Sequence, residues 1–212
     1  MTSGPQRGGT MISTDCASLY GMGKLMFTAT MSIDGYVADS AGDFQWSAPE
    51  GAVFAIHVER MGEVSTEVLG RRTFELMQYW ETDPDDRVWT PAEQEFARRW
   101  RRIDKVVASS TLTREDIGSD RVRLMPDLSL AQLRQIVDDA PGVVEIFGPT
   151  VAAAAIRAGL VEEFQFFVVP KVVGGGLRAL PDDVQLDLSL EGHETFGNGI
   201  VHLRYVPRDA GP

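Results

Sequence analysis

Phosphate binding is the clearest chemistry that the residue types of this chain suggest. A strand-like stretch ends at Leu69 and is followed by Gly70-Arg71-Arg72-Thr73 and then by a helix-like stretch. Such a turn presents free backbone N–H groups, a hydroxyl and two guanidinium groups, all of which bind phosphate oxygens. A glycine turn with two exposed arginines has the same pattern, so the spacing alone leaves both interpretations open.

Two further turns carry groups suited to phosphate. Ser109-Ser110-Thr111 follow an apolar stretch, and their hydroxyls could hold a phosphate or cap a turn. Gly148-Pro149-Thr150 open a helix of small residues, which could approach a pyrophosphate closely or pack tightly against a sheet. Because open α/β sheets bind ligands at the carboxyl ends of their strands, we expect these turns to share one edge.

Three side chains are candidates for contact with a substrate. Asp34 follows the first strand and could face the substrate or cap the loop. His57 could supply a proton near neutral pH, although a lone helical histidine is more often partly exposed and without a catalytic role. Trp46 could stack on a flat heterocycle or serve in packing.

The elements that must position these residues alternate along the chain from Lys24. Residues 25–31 and 143–147 predict buried strands, residues 52–61 predict a helix, and a capping box at Thr90 predicts the start of another. Residues 184–190 and 200–206 alternate apolar with polar side chains, which predicts antiparallel strands at one edge. This order predicts an α/β fold with a mixed, largely parallel sheet covered by helices on both faces.

Length and composition limit the classes of function. The chain has 212 residues, 43% of them hydrophobic and 24% charged, which suits one domain. A net charge of -11 disfavours nucleic acid and membrane surfaces as partners. The single cysteine, Cys16, cannot form an intrachain disulfide, and we expect a cytoplasmic protein. We expect residues 1–23 to be a disordered tail, residues 24–207 one domain, and residues 208–212 a second tail.

Taken in order, these motifs resemble the dihydrofolate reductase-like superfamily. The closer resemblance is to stand-alone relatives of the reductase domain of bifunctional riboflavin-biosynthesis deaminase-reductases. It extends over residues 24–207. It rests on the order of residues 24–26, Met31-Ser32-Ile33-Asp34-Gly35-Tyr36, residues 69–75, residues 79–80, residues 105–112, Gly148 with the helix after it, residues 160–163 and residues 170–176. The resemblance implies a three-layer fold with a sheet of about eight strands, NADPH as the hydride donor and, in many members, a homodimer.

The resemblance also implies where the ligands bind. It places the cofactor phosphates on Gly70, Arg71, Arg72 and Thr73, the 2′-phosphate near Ser109 and Ser110, the pyrophosphate on Gly148, Pro149, Thr150 and Val151, and the nicotinamide beside Ala29 and Thr30. Ser32, Trp46 and Phe54 are the candidate substrate contacts, and Asp34 and His57 are the candidate catalytic residues. We expect no metal, because hydride transfer from nicotinamide needs none.

Two departures from the family pattern bear on the site. Dihydrofolate reductases join a Gly-Gly pair by a cis peptide where this chain has Gly148-Pro149; because proline lowers the cost of a cis bond, we predict a cis peptide here. An acidic residue on the first helix of those enzymes holds the pterin ring, whereas the comparable position here falls at or near Phe54. Dihydrofolate is therefore a doubtful substrate.

The sequence favours a reductase that transfers hydride from NADPH to a small heterocyclic or sugar-linked acceptor, such as an aminopyrimidine riboside or a pterin. The alternative is a non-catalytic protein of the same fold that binds NADP(H). Oxidation of NADPH across a panel of acceptors separates the two.

Overall fold

The computed structural model of the chain describes residues 23–208, and most of the first predicted tail, with Cys16, and most of the second lie outside this part. The strands are β1 (Leu25–Ser32), β2 (Tyr36–Ala38), β3 (Val64–Gly70), β4 (Asp104–Ala108), β5 (Val122–Leu124), β6 (Val143–Phe147), β7 (Glu163–Val169), β8 (Leu177–Arg178), β9 (Leu188–Thr195) and β10 (Val201–Pro207). The helices are α1 (Gly51–Arg60), α2 (Arg71–Met77), α3 (Pro91–Trp100), α4 (Leu130–Asp139) and α5 (Pro149–Arg157).

Eight strands form the central sheet in the order β5-β4-β3-β6-β1-β7-β10-β9, and β2 pairs with β8 separately. The first six strands of this order run parallel, while β10 lies antiparallel to both β7 and β9. The predicted mixed sheet with an antiparallel pair at the C-terminus is confirmed.

Helices cover both faces of the sheet because successive strand residues point to opposite sides. On one face, Phe27 and Ile146 pack with Ala152 of α5 and Leu133 of α4. On the other face, Met26 packs with Met61, Phe96 and Trp100 around α1 and α3. Ala152 and Ala155 of α5 are almost wholly buried, so tight packing accounts for small residues on that face of the helix, whereas Ala154 is exposed.

Local signals set the ends of several elements. The capping box predicted at Thr90 is present, since its hydroxyl accepts from the Glu93 N–H at 3.3 Å and the Glu93 carboxylate accepts from the Thr90 N–H at 2.8 Å. The strand predicted over residues 184–190 is present but displaced along the chain, because β9 spans Leu188–Thr195. Val184 and Leu186 instead pack against the core from an irregular segment, which produces the same alternation without a strand.

Candidate cofactor and substrate site

The sheet order brings the predicted cofactor residues to one edge. Strands β4, β3, β6 and β1 are consecutive neighbours and all run parallel. Their registers place Gly70 beside Ala108 and Leu69 beside Phe147, so the turns after β4, β3 and β6 follow one another. Thr28 of β1 pairs with Phe147 of β6, so Ala29 and Thr30 follow at the same edge of the sheet.

The N-termini of α2 and α5 approach each other at two glycines. A Cβ atom placed on Gly148 would lie 2.8 Å from the hydroxyl oxygen of Thr73, and one placed on Gly70 would lie 3.8 Å from Cβ of Val151. No side chain caps either of these two helix ends. The first backbone N–H groups of both helices are therefore free to bind an anion.

The predicted cis peptide between Gly148 and Pro149 is wrong, since the bond is trans. Gly148 turns the chain from β6 into α5 with φ 115° and ψ 127°, a conformation that favours glycine. Pro149 then occupies the first position of α5, where its ring geometry and its missing N–H suit a helix start. The glycine supplies the change of direction that the cis bond was expected to supply.

Arg71 and the turn after β4 form the far end of this row. The Arg71 guanidinium donates to Glu75 at 2.8 Å and to the Thr111 hydroxyl at 3.1 Å, so it lies between α2 and that turn. Ser109 is buried, and its hydroxyl accepts the N–H groups of Thr111 and Leu112 at 3.2 and 3.1 Å. Ser109 therefore caps the turn. Ser110 and Arg72 are exposed at the same edge.

A cavity of about 410 Å³ opens between α5 and the β2–β8 pair. Pro149 and Thr150 line it, together with three residues that sequence reasoning missed: Tyr36, Arg157 and Arg178. The Arg178 guanidinium lies 5.0 Å from the centre of the Tyr36 ring. No local sequence signal marked these residues, because the cavity arises from contact between segments far apart in the chain.

Asp34 and Ser32 join two loops beside this cavity. The Asp34 carboxylate accepts the N–H groups of Val173 and Gly174 at 3.2 and 2.7 Å. A hydrogen bond from Ser32, aided by these two N–H groups, lowers the pKa of Asp34 to about 2. Asp34 is therefore ionised at neutral pH and has no proton to give. Ser32 is fully buried, and its hydroxyl accepts the Tyr36 N–H at 3.1 Å.

His57 lies buried between α1 and the sheet. Its ring centroid is 4.3 Å from that of Phe167, and its Nδ1 is 3.1 Å from Nη2 of Arg60. Burial, and then the charge of Arg60, hold the pKa of His57 well below its ordinary value. His57 is therefore neutral at pH 7. His202 of β10 stacks on the same Phe167 ring, with the two ring centroids 4.2 Å apart.

The two aromatic candidates for substrate contact are engaged in packing. Trp46 donates its indole N–H to the Asp43 carbonyl at 3.0 Å and packs in the cluster around Phe167. Phe54 stacks on Trp80 at 5.9 Å between centroids and contacts Phe96 at 5.6 Å. Both side chains are half-buried, so each keeps one exposed part.

Sequence reasoning also missed a row of charged side chains buried beneath α1 and α3. Glu67 of β3 and Glu145 of β6 are register partners, and Lys105 of β4 pairs with Glu67. All three are at most 2% exposed. Arg60 forms an ion pair with Glu145, and Trp100 donates its indole N–H to Glu67 at 2.8 Å.

Burial and the neighbouring Glu145 raise the pKa of Glu67 to about 8. The sequence feature that could have revealed this row is the presence of charged residues within otherwise apolar strands.

The described residues 23–208 contain no helix long and apolar enough to cross a membrane. In the same part of the chain, no group of three or more His, Cys, Asp or Glu residues is arranged to hold a metal ion.

The sequence profile of the RibD C-terminal domain matches residues 23–202. The chain belongs to this family. A curated relative, the uncharacterized protein YyaP of Bacillus subtilis (strain 168), is 21% identical over 187 residues, which cover 86% of this chain and 94% of that protein.

Solved structures share the fold. A putative riboflavin biosynthesis protein from Shewanella sp. PV-4 matches with a TM-score of 0.67 and 19% identity, over 87% of this chain and 99% of that one. RibD of Acinetobacter baumannii matches at 0.61 and 16% identity, over 88% of this chain but 58% of the longer RibD chain. Dihydrofolate reductase from Enterococcus faecalis, complexed with NADP(H), matches at 0.57 and 16% identity, over 89% and 98%. The fold is that of the dihydrofolate reductase-like proteins, among which are reductases.

Proposed function

We propose that this chain is an NADPH-dependent reductase whose acceptor is a small heterocyclic or sugar-linked compound, such as an aminopyrimidine riboside or a pterin. The convergence of the α2 and α5 N-termini at Gly70 and Gly148 carries the proposal. It brings the uncapped N–H groups of two helix starts together, and such groups bind anions. Membership of the RibD C-terminal domain family and the likeness to an NADP(H)-bound reductase support it.

The residues at this edge fit a phosphorylated dinucleotide. The absence of a Cβ at Gly148 lets the Thr73 hydroxyl, a further donor, lie close to the backbone at the start of α5. A Cβ on Gly70 would lie in ordinary contact with Val151, so the start of α2 lies directly beside the start of α5. Arg71 is exposed and supplies a positive charge next to the turn that holds Ser110. In an acidic chain, this local charge is what lets an anionic cofactor bind.

When bound, the reduced nicotinamide would supply a hydride to an electrophilic C=N or C=O carbon. Residues 70–73 would bind the cofactor phosphates, and residues 148–151 would bind the pyrophosphate. Ala29 and Thr30 would border the nicotinamide at the end of β1. The protein's contribution is to fix donor and acceptor face to face and to exclude water.

The decisive experiment follows the loss of NADPH absorbance with the purified chain and a panel of pterins, aminouracil ribosides and quinones. The proposal expects turnover of at least one heterocycle, at a rate that depends on the concentration of the chain. Absence of NADPH binding contradicts it. Tight NADPH binding with no turnover of any acceptor would favour a non-catalytic NADP(H)-binding protein. The observation that favours this alternative is the lack of a carboxylate near Phe54 on α1.

A further inference from the structure

The cavity of about 410 Å³ between α5 and the β2–β8 pair lies mostly outside the proposed cofactor site. Of its lining residues, Pro149 and Thr150 at the start of α5 are the two that the proposed pyrophosphate contacts share. A cavity of this volume is typical of small-molecule sites, which place a few polar groups on a largely apolar lining. The remaining lining is therefore a candidate site for a second ligand.

The cavity extends along the flank of α5 that faces away from α2. Val151 lies beside Gly70 at the start of α2, whereas Ala153 and Arg157 line the cavity. Because helical residues advance by about 100° each, these two residues lie about 120° to 160° around the helix from Val151. Arg157 is also about 12 Å along the helix axis from Pro149. An anion bound at Arg157 is therefore separate from the phosphates proposed on α2.

Two guanidinium groups from opposite walls of the cavity converge on Asp182. Arg157 of α5 donates through Nη2 to the backbone carbonyl of Asp182 at 3.2 Å. Nε of Arg178 on β8 lies 3.7 Å from the carboxylate of the same Asp182, which is beyond hydrogen-bond distance. Each guanidinium carries five N–H donors, far more than these contacts use. The two groups can therefore bind one further anion between them.

The carboxylate of Asp182 is a weak competitor for that anion. Its side chain is 82% exposed, so water screens its attraction to Arg178. Thr150 adds a hydroxyl to the lining, and the N-terminal end of α5 adds the positive end of a helix dipole. The lining therefore has a local excess of positive charge in a chain whose net charge is -11.

The β8 wall of the cavity is held in place by the chain itself. Gly176, just before β8, has a φ of 131° and no room for a Cβ, which would clash with the carbonyl oxygen of Ala38. The guanidinium of Arg178 lies over the ring of Tyr36, 5.0 Å from its centre. Because these contacts exist without a ligand, less ordering is needed when a ligand binds.

The lining favours a phosphate ester over other anions. A phosphate monoester carries nearly two negative charges and three acceptor oxygens, which match two guanidinium groups and a hydroxyl. A carboxylate offers one charge and two oxygens. Leu177, Leu180 and Pro181 line the same cavity, and a free phosphate ion would leave them uncovered. The matching ligand therefore joins a phosphate to a compact apolar body.

We propose that this cavity binds a small phosphate monoester with an apolar body, its phosphate held between Arg157 and Arg178, as a site separate from that for NADPH. The inference goes beyond the proposed reductase function and does not depend on it, because both arginines lie outside the proposed cofactor contacts.

The test follows the backbone amide NMR signals of the full chain during titration with phenyl phosphate, with and without NADP. Shifts are expected at Tyr36, Ala153 and Arg178 in both series. Inorganic phosphate lacks the apolar body, and benzoate lacks the second charge, so each is expected to bind about tenfold more weakly.

Substitutions in the lining give effects of opposite sign. Arg157→Gln and Arg178→Gln are each expected to weaken phenyl phosphate about tenfold, the effect of one charge-assisted contact. Asp182→Asn is expected to strengthen it about threefold, because the competing carboxylate is removed. Arg123→Gln, at an exposed arginine of β5, is the matched control and should leave the affinity unchanged.

Loss of phenyl phosphate binding on addition of NADP overturns the inference, because the anion then occupies the cofactor site. Equal binding of inorganic phosphate or benzoate by the wild-type chain also overturns it, and this comparison needs no variant. Wild-type affinity in a folded Arg178→Gln chain has the same consequence. Phenyl phosphate binding at the cavity of a chain that does not bind NADP supports the inference while contradicting the proposed function, so the two failures are distinguishable.

Discussion

Gly148 shows how much of the candidate site depends on one residue. It has no side chain at the point where the start of α5 faces Thr73 of α2, and its φ of 115° is unfavourable for any residue with a Cβ. Both features serve the same end, because the turn aims the N-terminus of α5 at the edge where Thr73 lies. The residue thus couples the local backbone conformation to the shape of the site.

Replacing Gly148 by alanine is expected to lower the free energy of unfolding by about 1 to 3 kcal/mol, the usual cost of a strained backbone position. The new Cβ also meets the Thr73 hydroxyl, so NADPH affinity should fall. Denaturant unfolding and NADPH titration check both effects. Gly197→Ala is the control, since open space surrounds that glycine. Equal stability of the two variants would refute the role assigned to Gly148.

The buried histidines predict a loss of stability in acid. Burial, and then the charges of Arg60 and Arg204, lower the pKa of His202 from 6.5 to about 4. Between pH 6.5 and about pH 4, His202 is therefore protonated in the unfolded chain but neutral in the folded chain. The contribution of His202 to the free energy of unfolding is complete above pH 6.5 and decreases as the pH falls through this range. Between pH 7 and pH 5 the loss should be about 1 to 2 kcal/mol.

Urea unfolding of the wild-type chain and of His202→Gln at several pH values isolates this contribution. The difference in unfolding free energy between the two should change in favour of the variant as the pH falls from 7 to 5. A constant difference across that range would show that His202 is free to protonate in the folded chain.

At the scale of elements, the turns after β3, β4 and β6 lie together because their strands are neighbours. The individual strands and helix starts could be predicted because apolar runs, glycines and capping boxes are local patterns, as Thr90 illustrates. The pairing of Glu67 with Glu145 could not, since β3 and β6 meet only through the sheet order. The prediction of a cis bond was wrong because it was carried over from the family pattern. In this chain the backbone conformation of Gly148 makes the turn with a trans bond.

The pairing of β3 with β6 also has a measurable consequence. Because the pKa of Glu67 is raised to about 8, the folded chain keeps a proton that the unfolded chain loses near pH 4.5. The contribution of Glu67 to the free energy of unfolding is therefore complete below pH 4.5 and is lost as the pH rises through 8. This pH dependence is opposite in direction to that of His202. Glu67→Gln should gain stability relative to the wild-type chain from pH 5 to pH 8 in chemical unfolding. A gain that does not depend on pH would mean that Glu67 is ionised in the fold.

At the scale of the whole molecule, a net charge of -11 is compatible with the proposed anion site. The overall field repels an extended polyanion, while a dinucleotide needs only Arg71, Arg72 and two helix N-termini at one edge. The homodimer implied by the family resemblance stays a prediction. Sedimentation equilibrium should give twice the mass of one chain, and a single-chain mass at all concentrations would contradict it.

Calorimetric titration of the chain with NADPH tests the central claim most directly. The wild-type chain should bind NADPH, and it should bind NADH more weakly because NADH lacks the 2′-phosphate. Arg71→Ala should weaken NADPH about tenfold, the effect of one charge-assisted phosphate contact. Arg102→Ala removes an exposed arginine just before β4, at the opposite edge of the sheet, and should change nothing. Absence of NADPH binding, or equal effects of the two substitutions, would contradict the account.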